Sequence, residues 1–269
     1  METAESIAAR VLSAHDAGAS IDRISDADPG FDLPAAYAVS RALVAARLAR
    51  GERPVGWKIG YTNRAVQQQY GVLHPIWGRM YDTTVSVAGP GSPPPICPIG
   101  RLAEPRIEPE IVLKLSRSPD PDMSVSDLVS CIEAVGHGFE IVTSIFRDWR
   151  GTAADSIAGG SLHGRYYYGR LLPVRPGRDW VKALTDVEVV IYRDGVEMDR
   201  GRGANALDGP LNALSHFIRG MAAISGERVQ AGEIVTTGTL TKAFRVAAGE
   251  TWTTRVSGLE LDGMALRFG

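Results

Sequence analysis

The segment that most restricts the fold is RIEPEIVLKL, residues 106–115. Ile107, Ile111, Leu113 and Leu115 recur every second residue, interrupted at Pro109, as along the buried face of a β-strand. Glu108 and Glu110 then share the opposite face, because side chains two apart on a strand point the same way. Two like charges side by side repel, and the proline between them removes a ladder hydrogen bond. Either water solvates this face or a cation sits between the acids.

The 269 residues suffice for one large domain, or a domain with a smaller helical addition, and 44% hydrophobic residues can build a substantial core. A net charge of −2 without any basic run gives no electrostatic case for nucleic acid or an anionic membrane as partner. No apolar stretch approaches the roughly 20 residues that a membrane helix needs. The N-terminus, METAESIAARVLSAHDAG, carries early acids and reads as an amphipathic helix rather than a signal peptide. Cys97 and Cys131 are the only cysteines and form no CxxC, which argues against a disulfide framework or a thiolate metal site. The expectation is a soluble, cytoplasmic protein.

Residues 5–17 form one candidate helix. A second runs from about Pro34 to Arg50, with Asp32 before it and Gly51 after it. VGWKIGYT reads as a short strand and loop, and NRAVQQQYG as a short helix closed by Gly71. Residues 88–95, AGPGSPPP, are a connection that no regular element can cross. They divide an N-terminal helical and strand region, 1–88, from a β-rich region, 89–269, and the two can form one compact unit. Beyond the 106–115 strand, a helix is expected from about Val125 to Val135, with a capping-box-like start at Ser124 and Asp127. GFEIVTSIF reads as a strand, and VEVVIYRDGVEMD as a hairpin with a type I′ turn at Asp194-Gly195. Helix 210–223 places Leu211, Leu214, Ile218 and Met221 on one face, and the chain from Glu233 to Phe268 is β-rich. Strands without regular βαβ alternation point to an α+β fold, a mixed, rolled sheet with helices packed outside.

Carboxylate oxygens suit hard cations such as Mg²⁺, Mn²⁺ or Ca²⁺. Two ligands rarely make a tight site, and Glu140 is the best third candidate. An acid flanked by Phe139, Ile141 and Val142 is costly to bury unless something positive meets it. Glu133, on the expected helix, and Glu104, in a loop, are weaker candidates. Lys58, between Trp57 and Ile59, is either an ordinary strand lysine or a desolvated one with a lowered pKa suited to proton transfer.

Taken together, GWKIGYTNRAVQQQYGV, HPIWG, RIEPEIV, FEIVTSIFRDW and VTTGTL resemble the hydratase/decarboxylase branch of the fumarylacetoacetate hydrolase superfamily. Order and spacing match from about residue 30 to the C-terminus. This branch includes 2-keto-4-pentenoate hydratase and 4-oxalocrotonate decarboxylase. The resemblance implies a β-rich roll, a homo-oligomer, a small 2-oxo acid substrate and a Mg²⁺ or Mn²⁺ held by three acids, here Glu108, Glu110 and Glu140. It gives Lys58 the catalytic lysine position and sets Thr237-Gly238-Thr239 beside the substrate, with Thr62 also facing it. The implied activity is hydration of a 2-hydroxydienoate or 2-oxo-enoate. The alternatives are decarboxylation of a 4-oxalocrotonate-like acid, C–C hydrolysis of an acylpyruvate, or a non-catalytic role in binding metal and oxo acid.

The departures from the family pattern gather near the expected substrate. HPIWG carries Ile76 where the hydratases usually have an acid and the decarboxylases tend to have an aliphatic residue. Thr143 and Ile145 replace an acid and an arginine, and in AGGSLHG, residues 158–164, Gly160, Leu162 and His163 replace an asparagine and two serines. Ile76, Thr143 and Leu162 are therefore expected at the substrate, with Ile76 and Ile145 implying a more apolar pocket and a less charged ligand. His163 is either a loop histidine or a substitute acid or base with a pKa near neutrality. His74 could stand behind the site, His15 and His216 are structural or exposed, and His137, three residues before Glu140, could be a ligand, although the glycines on either side suggest a turn.

Overall fold

The computed structural model describes residues 2–89 and 91–269. Three helices open the chain: α1 (Ala4–Ala17), α2 (Ile24–Ala27) and α3 (Leu33–Ala49). Thr3 caps α1 by accepting the Ser6 N–H, Gly18 ends it with φ 61°, and Asp32 caps α3 by accepting the Ala35 N–H. The chain continues through β1 (Pro54–Gly60), α4 (Arg64–Tyr70), β2 (Ile76–Tyr81), β3 (Val85–Val87), β4 (Ile96–Cys97) and β5 (Arg106–Leu115). Next come α5 (Val125–Leu128), β6 (Ile132–Val142), α6 (Ala153–Ala158), β7 (His163–Tyr168) and β8 (Leu172–Pro173). Then follow α7 (Trp180–Asp186), β9 (Glu188–Arg193), β10 (Val196–Arg202) and α8 (Pro210–Ile224). Strands β11 (Ile234–Thr239), β12 (Phe244–Arg245), β13 (Thr251–Ser257) and β14 (Ala265–Phe268) complete the fold.

A nine-stranded sheet has the order β2-β1-β11-β5-β6-β7-β3, with β12 also on β5 and β8 on β6; a five-stranded sheet has the order β10-β9-β13-β14-β4. The large sheet is mixed: β1 and β11 are parallel, whereas β11, β5, β6 and β7 pair antiparallel in turn. Strands β1 to β3 precede residue 88 and lie in the same sheet as β5. Lysine and acids are thereby carried on strands of one sheet.

The alternation in 106–115 positions the core. Ile107, Ile111, Leu113 and Leu115 are all fully buried. The last three join Val11, Leu43, Trp57, Leu214 and Phe217 in the main apolar cluster under the helices. Ile107 instead joins Phe139, Trp252 and Leu266 in a second cluster that includes the small sheet. The acid face is also covered, because Val112 on that face packs with Met80, Tyr166 and Ile234.

The helix expected at 125–135 is much shorter. Ser124 does accept the Asp127 N–H, but α5 stops at Leu128, a 3₁₀ turn spans Val129–Cys131, and Ile132 begins β6. Pairing of β6 with β5 along its length outweighs local helix propensity, and Glu133 consequently lies on a strand. A Cβ on Gly136 would lie 2.6 Å from Leu171 Cδ2, and one on Gly138 2.4 Å from the Tyr167 carbonyl oxygen. These glycines permit close approach of chain, so His137 between them is mid-strand rather than in a turn. The strand also ends at Val142 and excludes 143–146. The hairpin matches expectation, with φ 49° at Asp194 and 83° at Gly195 as a type I′ turn requires. Of the connection at 88–95, Pro90 lies outside the described residues and the rest forms no helix or strand. Among the described residues no helix is long and apolar enough to cross a membrane.

A Cβ on Gly56 in β1 would lie 2.1 Å from the Ile234 carbonyl oxygen of β11. Gly56→Ala is expected to destabilise the fold by about 1–3 kcal/mol through overpacking. A urea midpoint equal to the parent's would contradict this close approach.

Candidate metal centre and active site

Strands β5 and β6 pair so that Glu108 lies directly opposite Glu140 and Glu110 opposite Gly138. Each of Glu108, Glu110 and Glu140 offers a carboxylate oxygen, and these oxygens all lie within 4.8 Å of one another. Glu110 and Glu140 are fully buried. Glu110 Oε2 accepts the Gly238 N–H at 3.0 Å, whereas Glu110 Oε1 and Glu140 Oε2 are buried without a hydrogen-bond donor. The hydroxyl of Tyr166 is likewise buried without a partner. Burial, with the neighbouring Glu140 charge, pushes the Glu108 carboxyl up to about 7 despite Lys58, and lifts Glu110 well above the usual carboxylate range. An oxygen-only cluster with two orphaned buried oxygens fits a hard divalent cation.

Glu140 is the exception among the three. Burial raises its pKa, but the Lys58 charge and a hydrogen bond from His163 outweigh that and hold it below its ordinary value. Lys58 is 2% exposed, and its Nζ lies 3.2 Å from Glu140 Oε2, an ion-pair separation that lies off hydrogen-bond alignment. The lowered lysine pKa contemplated from sequence is not found. Burial does push it down, but the carboxylates of Glu140, Glu108 and Glu110 together raise it, so the ammonium is favoured.

His163 lies beside Glu140 and is not among the residues lining the cavity next to the acids. Its Nδ1 is 2.9 Å from Glu140 Oε1 and its Nε2 is 2.9 Å from the Thr84 hydroxyl. Burial lowers its pKa. A neutral ring donating from Nδ1 and accepting at Nε2 satisfies both contacts.

That cavity measures about 400 Å³ and is lined by Lys58, Thr62, Glu108, Leu162, Gly238 and Thr239, among others. Gly238 has φ 92°, and a Cβ there would lie 1.9 Å from Thr62 Oγ1. Only glycine allows the irregularity between Thr236 and Thr239 that turns the Gly238 N–H onto Glu110. The irregularity is thus in β11, while the register of β5 against β6 passes through Pro109 unbroken.

Other expected substrate residues lie outside the lining. Thr237 Oγ1 donates to the Ile111 carbonyl, and Thr143 Oγ1 donates to the Ala103 carbonyl at 2.6 Å. Ile76 is buried beside Gly60, and Ile145 belongs to the main apolar cluster, so neither makes the pocket apolar. His74 is exposed and sits beside Gly220 of α8, away from the acids. His15 is half-buried and donates from Nε2 to the Gly159 carbonyl, and buried His137 bonds through Nδ1 to the Glu110 carbonyl. Sequence reasoning missed Tyr61, Tyr70, Arg106 and Trp149 in the cavity wall. Arg106 carried a signal, since it sits two residues from Glu108 and shares its face.

Residues 58–262 match the fumarylacetoacetate (FAA) hydrolase C-terminal family. A 2-keto-4-pentenoate hydratase from Burkholderia vietnamiensis is 32% identical over 255 residues, covering 94% of each chain. A 4-oxalocrotonate decarboxylase from a Pseudomonas species is 31% identical over 226 residues, covering 82% of each. The solved 4-oxalocrotonate decarboxylase of Pseudomonas putida G7, complexed with magnesium and adipate, superposes with a TM-score of 0.91. It is 25% identical, with 99% of this chain and 97% of that one covered.

The acids give stability a definite pH dependence. Without divalent cation, the folded protein keeps the Glu108 proton up to about 7, whereas the unfolded chain loses it near 4.5. The folded state therefore binds more protons across that window, and stability falls as pH rises through it. Thermal denaturation in EDTA should show a falling midpoint from about pH 4.5 to about pH 7, restored by added Mn²⁺. A midpoint that rises over this range and ignores Mn²⁺ would contradict the assignment.

Proposed function

The chain belongs to the fumarylacetoacetate hydrolase family, and on that premise we propose that it is a divalent-metal-dependent lyase hydrating a 2-hydroxydienoate or 2-oxo-enoate. The observation that carries the proposal is the convergence of Glu108, Glu110 and Glu140 with Lys58, of which Glu108 and Lys58 line the cavity. Relatives named 2-keto-4-pentenoate hydratase, similar over nearly the whole chain, support hydration as the reaction.

Glu108, Glu110 and Glu140 would hold Mg²⁺ or Mn²⁺. Bound there, the cation would serve as a Lewis acid for the carboxylate and C2 oxygen of the substrate. Lys58, favoured as the ammonium, is suited to give a proton to the far end of the dienol, leaving an unsaturated ketone to which water adds. The alternative role for the same charge is to hold a substrate carboxylate. His163 contributes indirectly, since its Nδ1–H fixes Glu140 Oε1 and leaves Oε2 for the centre. Gly238 does the same for Glu110 through its backbone N–H. In keeping with the family resemblance, the protein is proposed to work as a homo-oligomer in the cytoplasm.

A second reading, decarboxylation of a 4-oxalocrotonate-like acid, is favoured by Ile76. This aliphatic residue packs next to Gly60, whose added Cβ would be 3.3 Å from Lys58 Nζ. The two reactions differ in product mass. Metal-loaded protein incubated with 2-hydroxypentadienoate and with 4-oxalocrotonate should add water to a dienoate, with EDTA stopping the turnover. Loss of CO₂ instead would establish the second reading, and no turnover of any 2-oxo acid would favour a binding role. Lys58→Ala should lower kcat by about 10²–10⁴-fold if the lysine transfers the proton. A rise in KM alone would make it a binding group.

A further inference from the structure

The cavity wall contains one strong cation that the proposed chemistry does not use. Arg106 lies on β5 two residues before Glu108 and shares its face, which sets it about 7 Å along the strand from that acid. Its guanidinium carbon sits 4.1 Å from the centre of the Trp149 ring, and its Nε is buried without a hydrogen-bond partner. Among the described residues Arg106 makes no ion pair. Glu104, an acid close by, is already engaged: one oxygen accepts the Asp148 N–H at 2.7 Å and the other lies 3.3 Å from Arg245. Asp148 also lines the cavity, but its side chain is exposed and forms no salt bridge with Arg106. Arg245 lies directly across the strand pair from Arg106, but it is exposed, pairs with Glu104 and is not among the cavity-lining residues.

The platform under Arg106 is held in place. The Trp149 Nε1–H donates to the Glu104 carbonyl at 3.1 Å. Asp148 and Trp149 have φ of 57° and 58°, a left-handed conformation that is costly for such residues and gathers at ligand sites. A partly buried guanidinium without an anion is unfavourable, and its planar fork matches a carboxylate through two parallel hydrogen bonds. Val142, which lies directly opposite Arg106 across the strand pair, lines the same cavity together with Leu162 and Tyr61, and these side chains suit a carbon chain.

We infer that Arg106 receives a second carboxylate, and hence that the substrate is a diacid whose far end is anionic. The inference deepens the proposed hydration and rests on it for the position of the first carboxylate, at the metal centre. The expectation of a less charged ligand, drawn from Ile76 and Ile145, does not stand against it, because neither residue lines the cavity.

The decisive comparison is binding without turnover. Mg²⁺-loaded protein is titrated calorimetrically with 2-oxoadipate and with 2-oxohexanoate, saturated 2-oxo acids of equal chain length that differ only in the terminal carboxylate. The parent should bind 2-oxoadipate about 10- to 100-fold more tightly, the gain expected of a hydrogen-bonded charge pair. Arg106→Gln should abolish that ratio, and Arg106→Lys should keep part of it, because lysine retains the charge but not the fork. Thermal denaturation of both variants checks that they fold. Equal binding of the two ligands by the parent would overturn the inference. So would an equal loss for both ligands in Arg106→Gln, which would place the first carboxylate on Arg106. A diacid preference that depends on Arg106 in a protein that hydrates no dienoate would uphold the inference while removing the hydratase assignment.

Discussion

Three carboxylates facing one another inside a β-sheet are the constraint on which the rest of the structure turns. Glu108 and Glu140 are directly opposed across β5 and β6, and Glu110 is one step further along the same face. Charges this close in a poorly solvated setting repel strongly, and taking each out of water costs several kcal/mol. Lys58 pairs with Glu140 and the neutral His163 ring hydrogen-bonds to it, whereas among the described residues Glu108 and Glu110 make no ion pair. Burial, with the neighbouring carboxylates, raises the pKa of both despite the Lys58 charge. A divalent cation is the simplest remedy.

The fold holds this arrangement in register from several directions. Pairing of β6 with β5 sets the acids in opposition, and a slip of one residue would turn every side chain to the other face. The apolar residues alternating with the acids prevent that slip, because Ile107, Ile111, Phe139 and Ile141 would all leave the core. On the other side, β11 departs from regular pairing at Thr237-Gly238 and aims an N–H at Glu110. Strand β1 runs parallel to β11 and brings Lys58 beside Thr236. Acid centre and lysine are therefore products of strand pairing, whereas the far cavity wall comes from loops around Tyr61 and Trp149.

What could be read from the sequence follows from this division. The 106–115 strand, the capped helices and the Asp194-Gly195 turn carry local signals, and each appears in the structure. The clustering of Glu108, Glu110 and Glu140 was legible because one strand carried an unexplained pair and another an unexplained single acid. The 125–135 helix was misread because a short apolar run does not distinguish helix from buried strand, and partner strands decided it. His137 was misread for a related reason, since its flanking glycines serve strand contact rather than a turn. Which residues line the cavity was the least legible feature. Thr239 and Thr237 differ by two positions, yet one reaches the cavity while the other bonds to the Ile111 carbonyl.

Glu108, Glu110 and Glu140 are proposed to bind one divalent cation together. The most direct measurement is a titration of EDTA-stripped protein with Mn²⁺, followed by electron paramagnetic resonance of the free ion, in the parent and in Glu110→Gln. One site per chain is expected in the parent, with an affinity lower by at least about 10- to 100-fold in the variant, the loss of one charged ligand interaction. Equal Mn²⁺ affinity in the two folded proteins would contradict it.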